Sequence, residues 1–268
     1  MKNHTVFFLL CAVCFTLSCK QQQTVDTKTI PFEYDDKMLK LIIFKATLND
    51  SIPLNVMFDT GGSSSDILLS DSLAELLADT MANLQIGAYK STCPIDVRDK
   101  NHPSLRYFDA MIGWQFFKDK IIEISYQHKY IRELDSIPVS NDFFPIRMDN
   151  QLKIPVKVYV QGKCIEDNIL VDTGNNGSVS LGKYFIDRYE IDLTDAYHGT
   201  SMTTGGLLPG GSIPVDSIVL GRFALPDVII SFSTMGNPRM KMIGNRVLEH
   251  FTVILDLKNY YLYLKPNE

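Results

Sequence analysis

The stretch Phe58-Asp59-Thr60-Gly61-Gly62 decides the fold, because the chain repeats it as Val171-Asp172-Thr173-Gly174-Asn175. Each Asp-Thr-Gly follows residues typical of β-strands and opens a bend rich in Gly or Ser. Asp and Thr side chains can bond to the backbone at such corners, and Gly lets the chain approach its neighbours closely. One Asp-Thr-Gly would be weak evidence. Two copies in one repeated framework predict a site built in two halves.

The residues before each motif predict the same β-hairpin. Residues 41–48 and 52–58 form its strands in the first copy, and residues 154–160 and 169–171 form them in the second. The offset between the copies is 172 − 59 = 113, and it holds without a gap back to Leu41 and Ile154. This regularity indicates an internal repeat of two homologous lobes.

The residues after each motif repeat as well. A short strand and a helix follow each bend, and the first helix is predicted from the spacing of Leu73 and Met81. Further on, Ile112-Gly113 matches Ile243-Gly244, and each continues into a strand, a turn and a strand. The offset is now 244 − 113 = 131, so the second copy carries 131 − 113 = 18 extra residues.

Composition places the chain among globular proteins, with 45% hydrophobic and 21% charged residues and a net charge of −5. Because no basic block or stripe is present, nucleic acid is not an expected partner. Cys93 and Cys164 are the cysteines expected in the folded part. They form no metal spacing, and both a bridge and a pair of buried thiols remain open.

The N-terminus has the pattern of an export signal. Lys2 precedes an apolar run from Thr5 to Leu17, which is too short to span a bilayer comfortably. The following Ser18-Cys19 resembles a bacterial lipoprotein signal, which predicts a signal peptide at 1–18, lipidation of Cys19 and anchoring to the cell envelope. An ordinary secretory signal is the alternative. Fatty-acid labelling of the wild type but not of Cys19→Ala would identify the lipoprotein.

The remaining chain divides into a polar tether at 19–38, an N-terminal lobe at 39–136, a linker at 137–151 and a C-terminal lobe at 152–268. Paired Asp-Thr-Gly strands, each followed by Ile-Gly and a closing hairpin, resemble the aspartic protease superfamily, most of all its retropepsin-like branch in bacterial lipoproteins. The resemblance implies an all-β, two-lobed acid-protease fold and a peptide or protein substrate. It also implies no cofactor, and a monomer is expected.

By this resemblance, Asp59 and Asp172 are the catalytic pair. Thr60 and Thr173 brace the two loops, and Gly61 and Gly174 keep the backbone close to the carboxylates. Two adjoining carboxylates share one proton because two like charges at contact distance repel strongly, as general accounts of aspartic proteases describe. No metal is expected. The Asp172 loop fails as an EF-hand, because Gly174 takes its third ligand position and Lys183 replaces its Glu.

Flaps that close over a substrate are the last expected feature. Gly205 and Gly206 lie in a Gly-rich stretch of the second lobe, which predicts either a flap or a mobile surface loop. Tyr89 predicts a reduced flap in the first lobe, and Trp114 either lines the cleft or packs in the core. Gly62 and Asn175 stand where many relatives have Ser, Thr or Ala.

Three functions are compatible with these features. The first is an endopeptidase that uses one Asp from each lobe. The second is a lipoprotein that binds peptides on the same fold without useful turnover, and the third is a structural subunit of an envelope assembly. Because both Asp, both Thr and both Gly of the two motifs are present, the sequence favours the first function, the endopeptidase.

Overall fold

The computed structural model describes residues 28–35, 39–62, 67–70, 73, 75, 77, 80–98, 106–203 and 206–267. The predicted signal peptide, Cys19 and Gly205 lie outside these residues. None of the helices in the described ranges is both long and apolar enough to cross a membrane.

The described chain is built mainly of strands. The first half contains β1 (Thr29–Pro31), β2 (Ile43–Leu48), β3 (Ile52–Asp59), β4 (Ile67–Ser70), β5 (Met81–Ile86), β6 (Tyr89–Arg98), β7 (Ala110–Gly113), a 3-10 helix (Trp114–Phe117), β8 (Ile121–Ser125) and β9 (Tyr130–Leu134). The second half contains β10 (Phe144–Arg147), β11 (Lys153–Val160), β12 (Lys163–Val171), β13 (Val179–Gly182), α1 (Lys183–Arg188), β14 (Tyr197–Thr203), β15 (Gly206–Leu220), β16 (Phe223–Ser233), β17 (Lys241–Ile243), α2 (Asn245–Leu248), β18 (Phe251–Asp256) and β19 (Tyr261–Pro266).

The predicted all-β fold with two lobes is confirmed. In the first lobe, β2-β3-β7-β4-β6-β5 close into a barrel, and in the second, seven strands follow the order β11-β12-β17-β13-β16-β15-β14. Both predicted hairpins are present as β2–β3 and β11–β12. In β11, alternate residues Ile154, Val156, Val158 and Val160 are buried, because successive side chains of a strand point to opposite faces.

In each lobe, the strand that leads to Asp-Thr-Gly lies parallel to the strand that ends in Ile-Gly. Phe58 pairs with Ile112 on β7, and Val171 pairs with Ile243 on β17. Parallel neighbours end at the same edge of a sheet, so the two loops of each lobe meet there. Ile112 and Ile243 are buried beneath these loops.

A third sheet joins the lobes. Its order is β1-β9-β8-β18-β19-β10, so each half of the chain contributes three of its six strands. The central pairing is antiparallel, with Ile124 of β8 opposite Val253 of β18. One continuous core of buried apolar residues extends through both lobes and this sheet.

Two segments predicted to lack regular structure contribute edge strands to this sheet. Part of the predicted tether forms β1, where Ile30 pairs with Ile131, and part of the predicted linker forms β10, where Ile146 pairs with Leu262. Those predictions are wrong for these residues, because strands this short show no period in sequence. Since Ile131 and Leu262 are themselves equivalent at the 131-residue offset, β1 and β10 extend the repeat.

Two further expectations differ from the structure. Met81 was predicted to lie in a helix, but it begins β5, where Ala82, Leu84 and Ile86 are buried at strand spacing. No disulfide joins Cys93 to Cys164, and Cys93 is buried while Cys164 is exposed. Cys164 is exposed because it lies on the outward face of β12, between Lys163 and the buried Ile165.

Candidate active site

Two loops, one from each lobe, meet at the centre of the molecule. Asp59 ends β3 and Asp172 follows β12. A Cβ atom built on Gly61 would lie 2.6 Å from Cγ of Asp172, and one on Gly174 would lie 2.5 Å from Cγ of Asp59. Each carboxyl therefore rests against the glycine of the opposite loop, where no other residue type fits without displacement.

The backbone amides of each loop orient its own carboxyl. Oδ1 of Asp59 accepts hydrogen bonds from the amides of Gly61 at 2.8 Å and Gly62 at 3.2 Å. Oδ1 of Asp172 accepts one from the amide of Gly174 at 2.8 Å. The two carboxyl groups lie close enough for the charge of Asp59 to act on Asp172. The structure thus brings together the two residues predicted to be catalytic.

The two threonines lock the loops with a symmetric set of hydrogen bonds. The amide of Thr60 donates to Oγ1 of Thr173 at 3.0 Å, and the amide of Thr173 donates to Oγ1 of Thr60 at 2.9 Å. The hydroxyl of Thr60 donates to the carbonyl of Val171 at 2.7 Å, and that of Thr173 to the carbonyl of Phe58 at 2.8 Å. Both threonines are buried. Each loop therefore depends on the other for its position.

The electrostatic surroundings of the two carboxyls differ. Asp172 is 6% exposed, whereas Asp59 is partly exposed. Burial raises the pKa of Asp172 well above its usual range, and the charge of Asp59 and the hydrogen bond with Asp59 raise it further. The amides of Gly174 and Asn175 oppose this rise, because they stabilise the ionised form. The pair therefore holds a proton on Asp172 above the pH at which an ordinary Asp would lose it.

The residue after each glycine differs between the loops. Gly62 has no side chain. Asn175 uses its side-chain amide to donate to Oγ of Ser180 at 3.1 Å and to accept from the amide of Gly177 at 2.8 Å. Asn175 therefore stabilises the bend that leads from the second loop into β13.

The predicted flap region of the second lobe is a hairpin of β14 and the first part of β15. Its register pairs Met202 with Leu207 and Thr203 with Gly206, and Gly206 has a φ of +106°. Nearly all of β14 is exposed. Met202 and Leu207 are 37% and 60% exposed, although both are large and apolar. The hairpin is thus an exposed projection with apolar side chains near its end.

The predicted reduced flap around Tyr89 is wrong. The turn at Gly87 lies against Ile30 of β1, and the ring of Tyr89 packs edge-on against Phe117 with the ammonium of Lys120 over its face. Gly87 and Gly221 have φ values of +57° and +56°, and Gly221 likewise lies against β10. These two turns are equivalent, at an offset of 221 − 87 = 134. The extra residues of the second copy therefore precede Gly221, in the part of the chain that forms the hairpin of β14 and β15.

Trp114 and Asn245 occupy equivalent positions, each directly after an Ile-Gly. The amide of Trp114 donates to the carbonyl of Gly62 at 3.2 Å, and that of Asn245 to the carbonyl of Asn175 at 2.9 Å. Trp114 is 6% exposed, so it packs in the core. Sequence reasoning missed Asn245, which is 0% exposed and contacts the second loop. One signal in the sequence could have identified Asn245: it is a polar residue at the position equivalent to Trp114, in the part of the repeat where the two copies match best.

No group of three or more His, Cys, Asp or Glu side chains within the described ranges could hold a metal ion.

No protein-family model matches the chain, and no curated protein matches it. A crystal structure of a retropepsin-like aspartic protease from Rickettsia conorii is similar, with 21% sequence identity, coverage of 46% of this chain and 90% of that chain, and a TM-score of 0.37.

Proposed function

We propose that the protein is an aspartic endopeptidase that hydrolyses peptide bonds with Asp59 and Asp172. The observation that carries the proposal is the contact of each carboxyl with the glycine of the opposite loop, together with the reciprocal threonine hydrogen bonds. This arrangement holds two acidic groups side by side at the end of two rigid strands. Such preorganised groups can share a proton and act on one bound water.

The uneven surroundings assign a role to each carboxyl. With its pKa raised by burial and by Asp59, Asp172 carries the shared proton, and Asp59 is the ionised member. Asp59 takes a proton from water while the water oxygen bonds to the peptide carbonyl carbon. Asp172 donates its proton to the carbonyl oxygen, which gives a tetrahedral diol.

The diol then breaks down by the reverse transfers. The bond from carbon to nitrogen cleaves as the nitrogen takes the proton held by Asp59. One hydroxyl of the diol returns its proton to Asp172 as the carboxylic acid forms. Both aspartates regain their starting states, and one water has been added across the peptide bond.

The hairpin of β14 and β15 supplies the second element of the proposal. Met202 and Leu207 are cross-strand neighbours, and both are exposed although they are large and apolar. Such residues gain free energy when an apolar substrate covers them. We assign the hairpin as a flap that covers substrate from the second lobe alone.

The rival function is peptide binding without turnover. The exposed apolar hairpin favours peptide binding, because its apolar side chains could bind a peptide even if the carboxyl pair did not catalyse hydrolysis. The two functions share the site and differ only in the chemical step.

A peptide-library assay of the mature protein from acid to neutral pH separates them. We expect cleavage, and a fall in kcat of about 10²- to 10⁴-fold in both Asp59→Asn and Asp172→Asn, the range for loss of an acid–base group. Asp256→Asn is the matched control, because Asp256 is a buried carboxylate held by the backbone amides of Lys258 and Asn259. Full activity in either Asn variant would exclude the mechanism. Binding with no cleavage at any pH would establish the rival.

A further inference from the structure

Asn245 connects three separate parts of the chain. Its side-chain nitrogen donates to the carbonyl of Thr173 at 2.7 Å and to the carbonyl of Lys40 at 2.5 Å. Its side-chain oxygen accepts from the hydroxyl of Tyr126 at 2.8 Å. Because both N–H groups and the oxygen are engaged, the amide has one orientation. Thr173 belongs to the second catalytic loop, so Asn245 fixes a backbone atom next to Asp172.

The Lys40 end of this connection is itself anchored. The ammonium of Lys40 lies 2.6 Å from both carboxylate oxygens of Glu249, and the hydroxyl of Tyr34 donates to the same carboxylate at 2.9 Å. The side chains of Lys40 and Glu249 are 10% and 22% exposed. We call Tyr34 and Lys40 the anchor pair. They bind the N-terminal residues to Glu249 of the second lobe, although in sequence these residues come just before the barrel of the first lobe.

No equivalent connection is present among the residues of the first lobe that the structure describes. At the offset of 131, Asn245 corresponds to Trp114 and Glu249 corresponds to Lys118. An indole offers one N–H and no acceptor, so Trp114 cannot join two carbonyls and a hydroxyl. The polar connection is therefore specific to the loop that carries Asp172.

We propose that Asn245 is a positioning residue for Asp172, and that the anchor pair must be docked on Glu249 for the second catalytic loop to hold its active geometry. This inference rests on the proposed function and adds that docking of the anchor pair controls the position of Asp172. The N-terminal residues then form part of the active enzyme, although they touch neither aspartate. Displacement of a reacting group by about 1 Å can cost about 10²-fold in rate.

Two variants of the full chain test the connection at different points. Asn245→Leu removes the bridge itself, but it leaves two carbonyls and a hydroxyl unpaired and can fail to fold. Lys40→Met leaves Asn245 intact and releases the anchor pair from Glu249. Lys28→Met is the matched control, because Lys28 is in the same N-terminal stretch but pairs with Asp135 on an exposed surface.

The glycine amides give a readout that does not need activity. The amide of Gly174 donates to Asp172 and that of Gly61 to Asp59, so their NMR signals report the two loops separately. We expect Lys40→Met to displace the Gly174 signal and to leave the Gly61 signal in place. In the cleavage assay we expect its kcat to fall about tenfold to a hundredfold, with KM changed less than about threefold.

The outcomes distinguish this inference from the proposed function. If the wild type cleaves peptides and Lys40→Met matches Lys28→Met in both kcat and the Gly174 signal, the inference is overturned and the protease assignment stands. If the wild type cleaves nothing, the protease assignment fails, and the Gly174 signal alone decides whether the anchor pair positions the loop. Equal displacement of the Gly174 and Gly61 signals would indicate general loosening and would also overturn the inference.

Discussion

The Asp59 loop and the Asp172 loop share one geometry but have different supports. Each carboxyl rests on the opposite glycine, and each threonine donates to the strand before the other. Around this symmetric centre, the first loop has Gly62 and Trp114, whereas the second has Asn175 and Asn245. The exposed hairpin of β14 and β15, the proposed flap, belongs to the second lobe as well. Among the contacts around the two loops, symmetry is thus confined to the residues that place the carboxyls.

Two loops of the same geometry can hold carboxyl groups that differ in protonation. Two carboxylates can share one proton only if they are held at contact distance, which requires the matched glycines and threonines. A directed reaction then requires the two to differ in their affinity for that proton. Burial and a denser polar connection on the Asp172 side provide that difference.

The largest effect is expected from alanine at the two glycines, because this tests the symmetric part. Gly61→Ala and Gly174→Ala would each place a Cβ within about 2.6 Å of the opposite carboxyl carbon and separate the pair. We expect kcat to fall at least about 10²-fold in both variants, by similar amounts, in the peptide assay.

Gly162→Ala serves as the control, since its Cβ would meet nothing within 4 Å, although its φ of +72° costs some stability. Activity should be compared per folded molecule, as measured by circular dichroism. A large fall in kcat in one glycine variant and none in the other would contradict the proposal that the two glycines have equivalent roles.

An effect of intermediate size is expected in the pH dependence of stability. Because the pKa of Asp172 is raised in the folded protein, the folded state keeps a proton that the unfolded chain releases near the ordinary value. The stability from this group is therefore full below the ordinary pKa and declines as the pH rises toward the raised pKa. The decline is at most about 1.4 kcal/mol for each pH unit in that window.

Urea unfolding of the wild type and Asp172→Asn over this range measures the effect. We expect the Asn variant to lack this decline, so that its stability relative to the wild type increases with pH. Parallel curves for the two proteins would show that Asp172 does not hold the proton.

The smallest effect is expected from the flap, where the lobes differ most. Met202→Ala and Leu207→Ala should change the free energy of unfolding by less than about 0.5 kcal/mol, because both side chains are exposed. We expect KM to rise about two- to fivefold with kcat little changed, since partial burial of each exposed apolar side chain contributes about 0.5–1 kcal/mol of binding. Tyr159→Ala, at another exposed position, is the control. Unchanged KM in both flap variants would remove the hairpin from the site.

Sequence predicted most of the strand framework and the pairing of the loops, because long apolar alternation and a repeated motif constrain both. The 113-residue offset located β2, β3, β11 and β12. It could not reveal β1 or β10. Strands of three or four residues are too short to show an alternation of apolar and polar residues, and these two form because they pair with β9 and β19. The helix predicted through Met81 failed because the alternation from Ala82 to Ile86 was stronger than helical spacing.

The candidate site was predicted less completely than the fold. Asp59, Asp172, both threonines and both glycines follow from the repeated motif. Tyr89 was misassigned because a Gly turn in the first copy was compared with the wrong part of the second. Asn245 was missed because its contacts to Lys40 and Tyr126 span long sequence separations, which no local pattern records.

The sheet that joins the lobes has one more consequence. Its strands come equally from both halves, and residues 136–143 run between β9 and β10 without contributing a strand. A chain cut there would leave two fragments, each with one Asp-Thr-Gly and three strands of the shared sheet. Neither fragment could support turnover by itself. Reassembly through β8 and β18 would restore both the hydrogen-bond ladder and the carboxyl pair. If the proposed activity is present, peptide cleavage would then report that the two halves have associated.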